Sequence, residues 1–148
     1  MSNRGEGTTR WLTELGVRLL VVVGLAIQAG IHLRLAANYQ LAYTDGIGGG
    51  NLFRIEAVVA ILAALYLLLR GSRPAYLLAA VVAFGGLTAV VLYRYVDVGS
   101  FGPIPGMYEP IWFLEKNLSA ITEGIAGILA LMGAFLIGRA SPSRTTGA

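Results

Sequence analysis

The chain has 148 residues, 56% of them hydrophobic and only 13% charged, with a mean hydropathy of +0.71. Soluble domains carry about 25% charged residues, so a water-soluble fold is excluded and lipid is the natural solvent for the excess apolar side chains. Cysteine is absent and His32 is the only histidine, which removes disulfides, thiolate metal sites and, within one copy, any multi-histidine metal or bis-histidine haem site.

Four apolar stretches follow in chain order, at about residues 11–37, 52–69, 74–96 and 110–137. Each approaches the roughly 20 residues a helix needs to cross hydrocarbon. Helix is the only open-chain solution there, because every backbone N–H and C=O must be paired within its own segment. The expectation is an all-α membrane protein: one four-helix transmembrane domain over residues 1–140 and a small, polar, disordered cytoplasmic tail at 141–148. The first stretch could be mistaken for a signal peptide, but His32 and Arg34 follow it without a small-x-small cleavage site.

The connections differ in kind. Arg70-Gly71-Ser72-Arg73-Pro74 is a tight joint, with glycine suited to stopping one helix and proline to opening the next. Residues 36–50, ending in Gly48-Gly49-Gly50, and 97–110, holding Pro103, Pro105 and Pro110, read as irregular loops. Arg4, Arg10, Arg18, Arg70, Arg73, Arg139 and Arg144 gather at the termini and the tight joint. By the positive-inside rule both termini are cytoplasmic. The net charge of +3 is then topological and implies no nucleic-acid partner. Trp11 and Tyr76 are expected at the inner interface, and Tyr39, Tyr108 and Trp112 at the outer one.

Glu56-Ala-Val-Val-Ala-Ile-Leu-Ala63 and Glu123-Gly-Ile-Ala-Gly-Ile-Leu-Ala130 suggest two tandem helical hairpins related by an axis along the membrane normal. Counting 1.5 Å per residue from Arg18, Arg70 and Arg139 places Arg34, Glu56 and Glu123 roughly 21–24 Å from the inner boundary. His32 shares that depth, and Arg94 lies slightly beyond it. A charge inside a span costs on the order of 2.5–3.5 kcal/mol, so these groups are expected to meet, Arg34 and Arg94 pairing with Glu56 and Glu123 beside His32. Two roles are open for this cluster: a structural staple, with the arginines snorkelling outward, or a ligand or proton site. In the third connection Phe101, Met107, Tyr108 and Trp112 are candidate partner-binding anchors, or they cap their own bundle.

Ile31-His32-Leu33, Ile47-Gly48 and a glutamate-led second helix resemble a set of small four-helix membrane proteins of high-GC Gram-positive bacteria. So do Tyr95-Val-Asp-Val-Gly-Ser-Phe-Gly-Pro-Ile-Pro-Gly-Met-Tyr-Glu-Pro110, Glu115-Lys116 and Ser119-Ala120. The resemblance implies a bacterial cell membrane and a four-span topology, and brings no activity with it. No motif names a reaction, and no catalytic residue, metal or cofactor is expected. The leading expectation is a non-enzymatic accessory or scaffold subunit contacting a membrane-protein partner or further copies of itself. The alternatives are a small proton-linked carrier acting as an oligomer, and a quinone- or haem-associated redox protein.

Overall fold

A computed structural model of the chain describes residues 3–138. Arg139, Arg144 and the 141–148 tail lie outside the described residues, as does the Arg4 side chain. The fold is an all-α bundle of four helices: α1 (Asn3–Ala42), α2 (Gly49–Arg70), α3 (Arg73–Tyr95) and α4 (Leu114–Gly138). Each is long and apolar enough to cross a membrane, and the chain is a multi-pass membrane protein. The helices run alternately up and down, so the two termini and the α2–α3 joint share one end, the termini end. The other two connections share the opposite, loop end.

α1 packs against α2 and α4, and α3 against α4 and α2, while the diagonal pairs stay nearly clear of each other. Small residues make these contacts. Ala57, Ala60 and Ala64 on α2, Ala79 and Ala83 on α3, and Ala126, Ala130 and Ala134 on α4 are all buried. Spacings of three and four residues place each set on one helix face, and in lipid such faces let backbones close up and gain van der Waals contact. The opposite faces carry exposed Leu62, Val81, Ile121, Ile128 and Phe135, a surface that only hydrocarbon solvates without cost.

The tight joint forms as expected. Gly71 takes the left-handed conformation at φ 52°, and its N–H donates to Leu67 O at 2.9 Å. A side chain there would also collide with the Arg18 guanidinium. Pro74 sits in the first turn of α3.

Three expectations need correction. α1 is longer than the expected 11–37 span, about 60 Å at 1.5 Å per residue, because its polar ends continue the helix. Gly49 and Gly50 are not loop: they open α2, where a Cβ on Gly49 would stand 2.9 Å from Tyr39 O and one on Gly50 would strike Ala36 O. These glycines let α2 cross α1 with no side chain between the backbones. Tyr76 is not an interfacial aromatic but the largest fully buried side chain. Its hydroxyl donates to Glu14 Oε1 at 2.9 Å, and Arg18 grips the same carboxylate at 2.7–3.0 Å. The termini half of the bundle therefore holds its own polar staple across α1 and α3.

Candidate functional site

The loop half holds a polar layer drawn from three helices. On α1, Gln28 and His32 are four residues apart and so share one face; Gln28 is 0% exposed and His32 8%. Gln28 Nε2 donates to Glu56 Oε1 on α2 at 2.8 Å. On α4, Ser119 Oγ donates to Glu123 Oε1 at 2.7 Å, again four residues apart, and Glu123 is 0% exposed. α3 contributes bare backbone. A Cβ on Gly86 would stand 2.6 Å from Gln28 Nε2 and 2.8 Å from Glu123 Oε1. Both polar groups thus crowd onto a position where α3 offers no side chain.

The layer is short of donors. Gln28 Oε1 and Glu123 Oε2 are buried and find no hydrogen-bond partner among the described residues. His32 Nδ1 lies 2.9 Å from Gln28 O. A carbonyl only accepts, so Nδ1 carries the proton and Nε2 of the neutral ring keeps its lone pair.

Above this layer opens a cavity of about 170 Å³. Its polar lining comes from His32, Glu56 and Ser119 on the floor side and Tyr39, Tyr93, Glu109 and Lys116 toward the loops. Leu35, Leu52, Phe53, Val90, Met107 and Phe113 form the apolar wall. An aromatic series runs up that wall, with His32 and Phe53 centroids 5.0 Å apart and Phe53 and Tyr39 4.1 Å apart.

The 96–113 connection roofs the cavity. Phe101 and Ile104 exchange backbone hydrogen bonds around a turn, Pro103 O accepts from Ile47 N at 2.9 Å, and Glu109 N donates to Tyr93 O at 2.9 Å. The two loop-end connections are therefore joined to each other and to α3. Glu109 accepts from the Tyr39 hydroxyl, and Lys116 Nζ donates to its carbonyl at 2.6 Å while standing 3.6 Å from its carboxylate. In the α1–α2 connection, Tyr43 reaches Tyr108 O at 3.4 Å. Burial, and then the Glu109 charge, raise its phenol above the ordinary range.

Of the expected cluster, His32, Glu56 and Glu123 come together and the arginines do not join them. Arg34 points out of the bundle, its side chain 77% exposed and 3.6 Å from Glu115. It follows His32 by two residues, roughly 200° around the helix, so it cannot share the interior face. Arg94 lies at the loop, its guanidinium 4.9 Å from the Tyr95 ring and 5.7 Å from the Trp112 ring. The carboxylates are bonded by neutral Gln28 and Ser119 instead. The loop anchors divide as well. Phe101 is 78% exposed and Tyr108 is exposed, Trp112 is half-buried under Arg94, and Met107 is buried in the cavity roof.

Sequence reasoning missed Gln28, Ser119, Tyr39, Glu109 and Lys116 as members of the site. The signal for the first two was present: each stands one helical turn before a residue that was singled out. Among the described residues no three histidine or acidic side chains converge to hold a metal ion. Comparison with known protein families, with curated proteins and with solved structures finds no match.

Proposed function

We propose that this protein is a membrane-embedded binder of a small amphiphile whose ring-sized, hydrogen-bond-donating head enters the loop-end cavity. The cavity supports this choice: about 170 Å³ of largely apolar space lined by two residues with acceptor capacity, His32, whose Nε2 keeps its lone pair, and Glu56. A space of about 150 Å³ holds benzene, so one six-membered ring fits and a tetrapyrrole does not. A hydroxylated ring of the quinol type presents its O–H groups to His32 and Glu56, its faces to Phe53 and Phe113, and its apolar tail to lipid. Among the roles the sequence left open, this favours the quinone-associated one and disfavours haem.

The test uses the protein in lipid nanodiscs, with Trp11→Phe leaving Trp112 as the fluorescent reporter beside the cavity. Hydroquinone should quench saturably, and its di-O-methyl ether should bind about tenfold more weakly, the equivalent of one lost hydrogen bond to a charged or strongly polar group. His32→Ala or Glu56→Gln should remove that difference. Equal binding of the two probes, or no saturable binding, overturns the proposal.

A role as accessory subunit draws on a separate observation. Phe101 and Ile111 stand outward on the loop, both strongly exposed, at a place where aromatic and aliphatic anchors make effective contacts. Phe101→Ala with Ile111→Ala should then shift the native-gel migration of the membrane complex without altering hydroquinone binding. We further infer a bacterial cell membrane and cytoplasmic termini, from the sequence resemblance and from Arg10, Arg18, Arg70 and Arg73 at the termini end.

A further inference from the structure

The loop-end layer contains a carboxyl group that the proposed binding does not use. Glu123 is 0% exposed, lies behind the cavity floor and does not line it. Among the described residues no cation is bonded to it. From α1 it faces Gln28 and, one turn above, His32. From α2 it faces Glu56, itself held by Gln28 Nε2. α3 brings Gly86 to it, and that helix carries no ionisable residue between Tyr76 and Tyr93. On its own helix Lys116 is two turns away and bonded to Glu109 O at 2.6 Å, while Arg34 and Arg94 are committed elsewhere. Among the described residues the one donor to Glu123 is the neutral Ser119 hydroxyl, which leaves Oε2 without a partner.

An ionised carboxylate sealed in such a place costs far more than a neutral carboxylic acid. The neutral form also supplies the missing donor, since an O–H on Oε2 turns one of the two unpartnered acceptors into a hydrogen-bond donor. A connection to the cavity exists through Ser119, which lines it and touches Glu123.

We propose that Glu123 is the proton-carrying residue of the bundle, loaded from the cavity through the Ser119 hydroxyl. The transfer balances. A hydronium ion in the cavity gives one proton to Ser119 Oγ, which passes its own to the Glu123 oxygen it bonds; the hydronium leaves as water, and a flip of the resulting carboxylic acid about its Cγ–Cδ bond brings the O–H to the unpartnered position. Unloading reverses these steps. The proposal does not depend on what fills the cavity, and its test does not involve the quinol probe.

Infrared spectra of the intact chain in nanodiscs read the protonated carboxyl directly. At neutral pH the wild type should show a protonated-carboxyl C=O band that shifts on transfer to D2O. Glu123→Gln should lose the band and Glu56→Gln should keep it. Should the Glu123 variant fail to assemble, Glu56→Gln and Ser119→Ala decide together: a band that survives the first and changes frequency in the second belongs to Glu123, which Ser119 bonds, whereas a band lost with Glu56 or left at the same frequency by Ser119→Ala overturns the proposal. No band in the wild type overturns it too. Ser119→Ala should retain the band and exchange its proton more slowly; an unchanged exchange rate overturns the route through Ser119.

Discussion

At the scale of single residues, Gly86 governs the polar layer more than any charged group does. Its missing side chain is the space into which Gln28 and Glu123 both lean, with 2.6 and 2.8 Å to a hypothetical Cβ. Gly86→Ala must push aside the ends of two fully buried polar side chains, and because both ends are flexible the cost lies toward the lower end of the about 1–3 kcal/mol that overpacking carries. Gly85 is the control on the same helix, because a Cβ there meets nothing within 4 Å. Thermal unfolding in nanodiscs should show Gly86→Ala destabilised and Gly85→Ala unchanged or slightly more stable, the latter through helix propensity worth up to about 1 kcal/mol. Equal behaviour of the two would mean that the layer is loosely packed. His32, Glu56 and Glu123 were legible in the sequence because charge and imidazole are scarce in apolar spans. Gln28 and Ser119 were not, because a search for charge passes over neutral amides and hydroxyls, although these are the groups that bond the carboxylates. Arg34 falls elsewhere for a different reason: residue count sets depth along a helix, but the angle around it, roughly 200° from His32, sets which face a side chain takes.

At the scale of elements, hydropathy marks where chain lies in lipid and says little about where helix ends. The four spans were therefore legible, while the polar extensions of α1 and the helical role of Gly49 and Gly50 were not. Those two glycines look like loop composition until α1 is placed against them. The same limitation hid the staple at the termini end. Glu14, Arg18 and Tyr76 each suit an interface when taken alone, and only the folded bundle brings the Tyr76 hydroxyl, on a ring 0% exposed, across its interior to Glu14. Glu14 and Arg18 are one turn apart and pair within α1, so the tyrosine hydroxyl is the part of this group that joins two helices. Interhelical hydrogen bonds in membranes are worth on the order of 1 kcal/mol. Tyr76→Phe keeps the ring and removes the bond, and should lower stability by that amount with the helix content unchanged by circular dichroism. Leaving quinol binding at the far end unchanged would confirm that the two polar groups act independently.

At the scale of the whole molecule, the two ends of the bundle differ in charge, and the difference yields a prediction for the sense of insertion. The termini end holds Arg10, Arg18, Arg70 and Arg73 against Glu6 and Glu14. At the loop end Arg34, Arg54, Arg94 and Lys116 are matched by Asp45, Asp97, Glu109 and Glu115, three of the basic groups being bound locally to acids or aromatic rings. Excess arginine in short connections is retained on the cytoplasmic side, and the α2–α3 joint is the shortest of the three connections. The loop end should then face outward, so that the Ser119 route to Glu123 opens toward the outer side and a bound head group would be exchanged there. The absence of cysteine from the sequence makes the test direct. Thr44→Cys at the exposed loop end and Ser72→Cys in the tight joint introduce one thiol each into a chain with no background. A membrane-impermeant maleimide applied to intact bacteria should label Thr44→Cys and spare Ser72→Cys, with the pattern reversed in everted vesicles. The opposite pattern would put the cavity and its proton route on the cytoplasmic side.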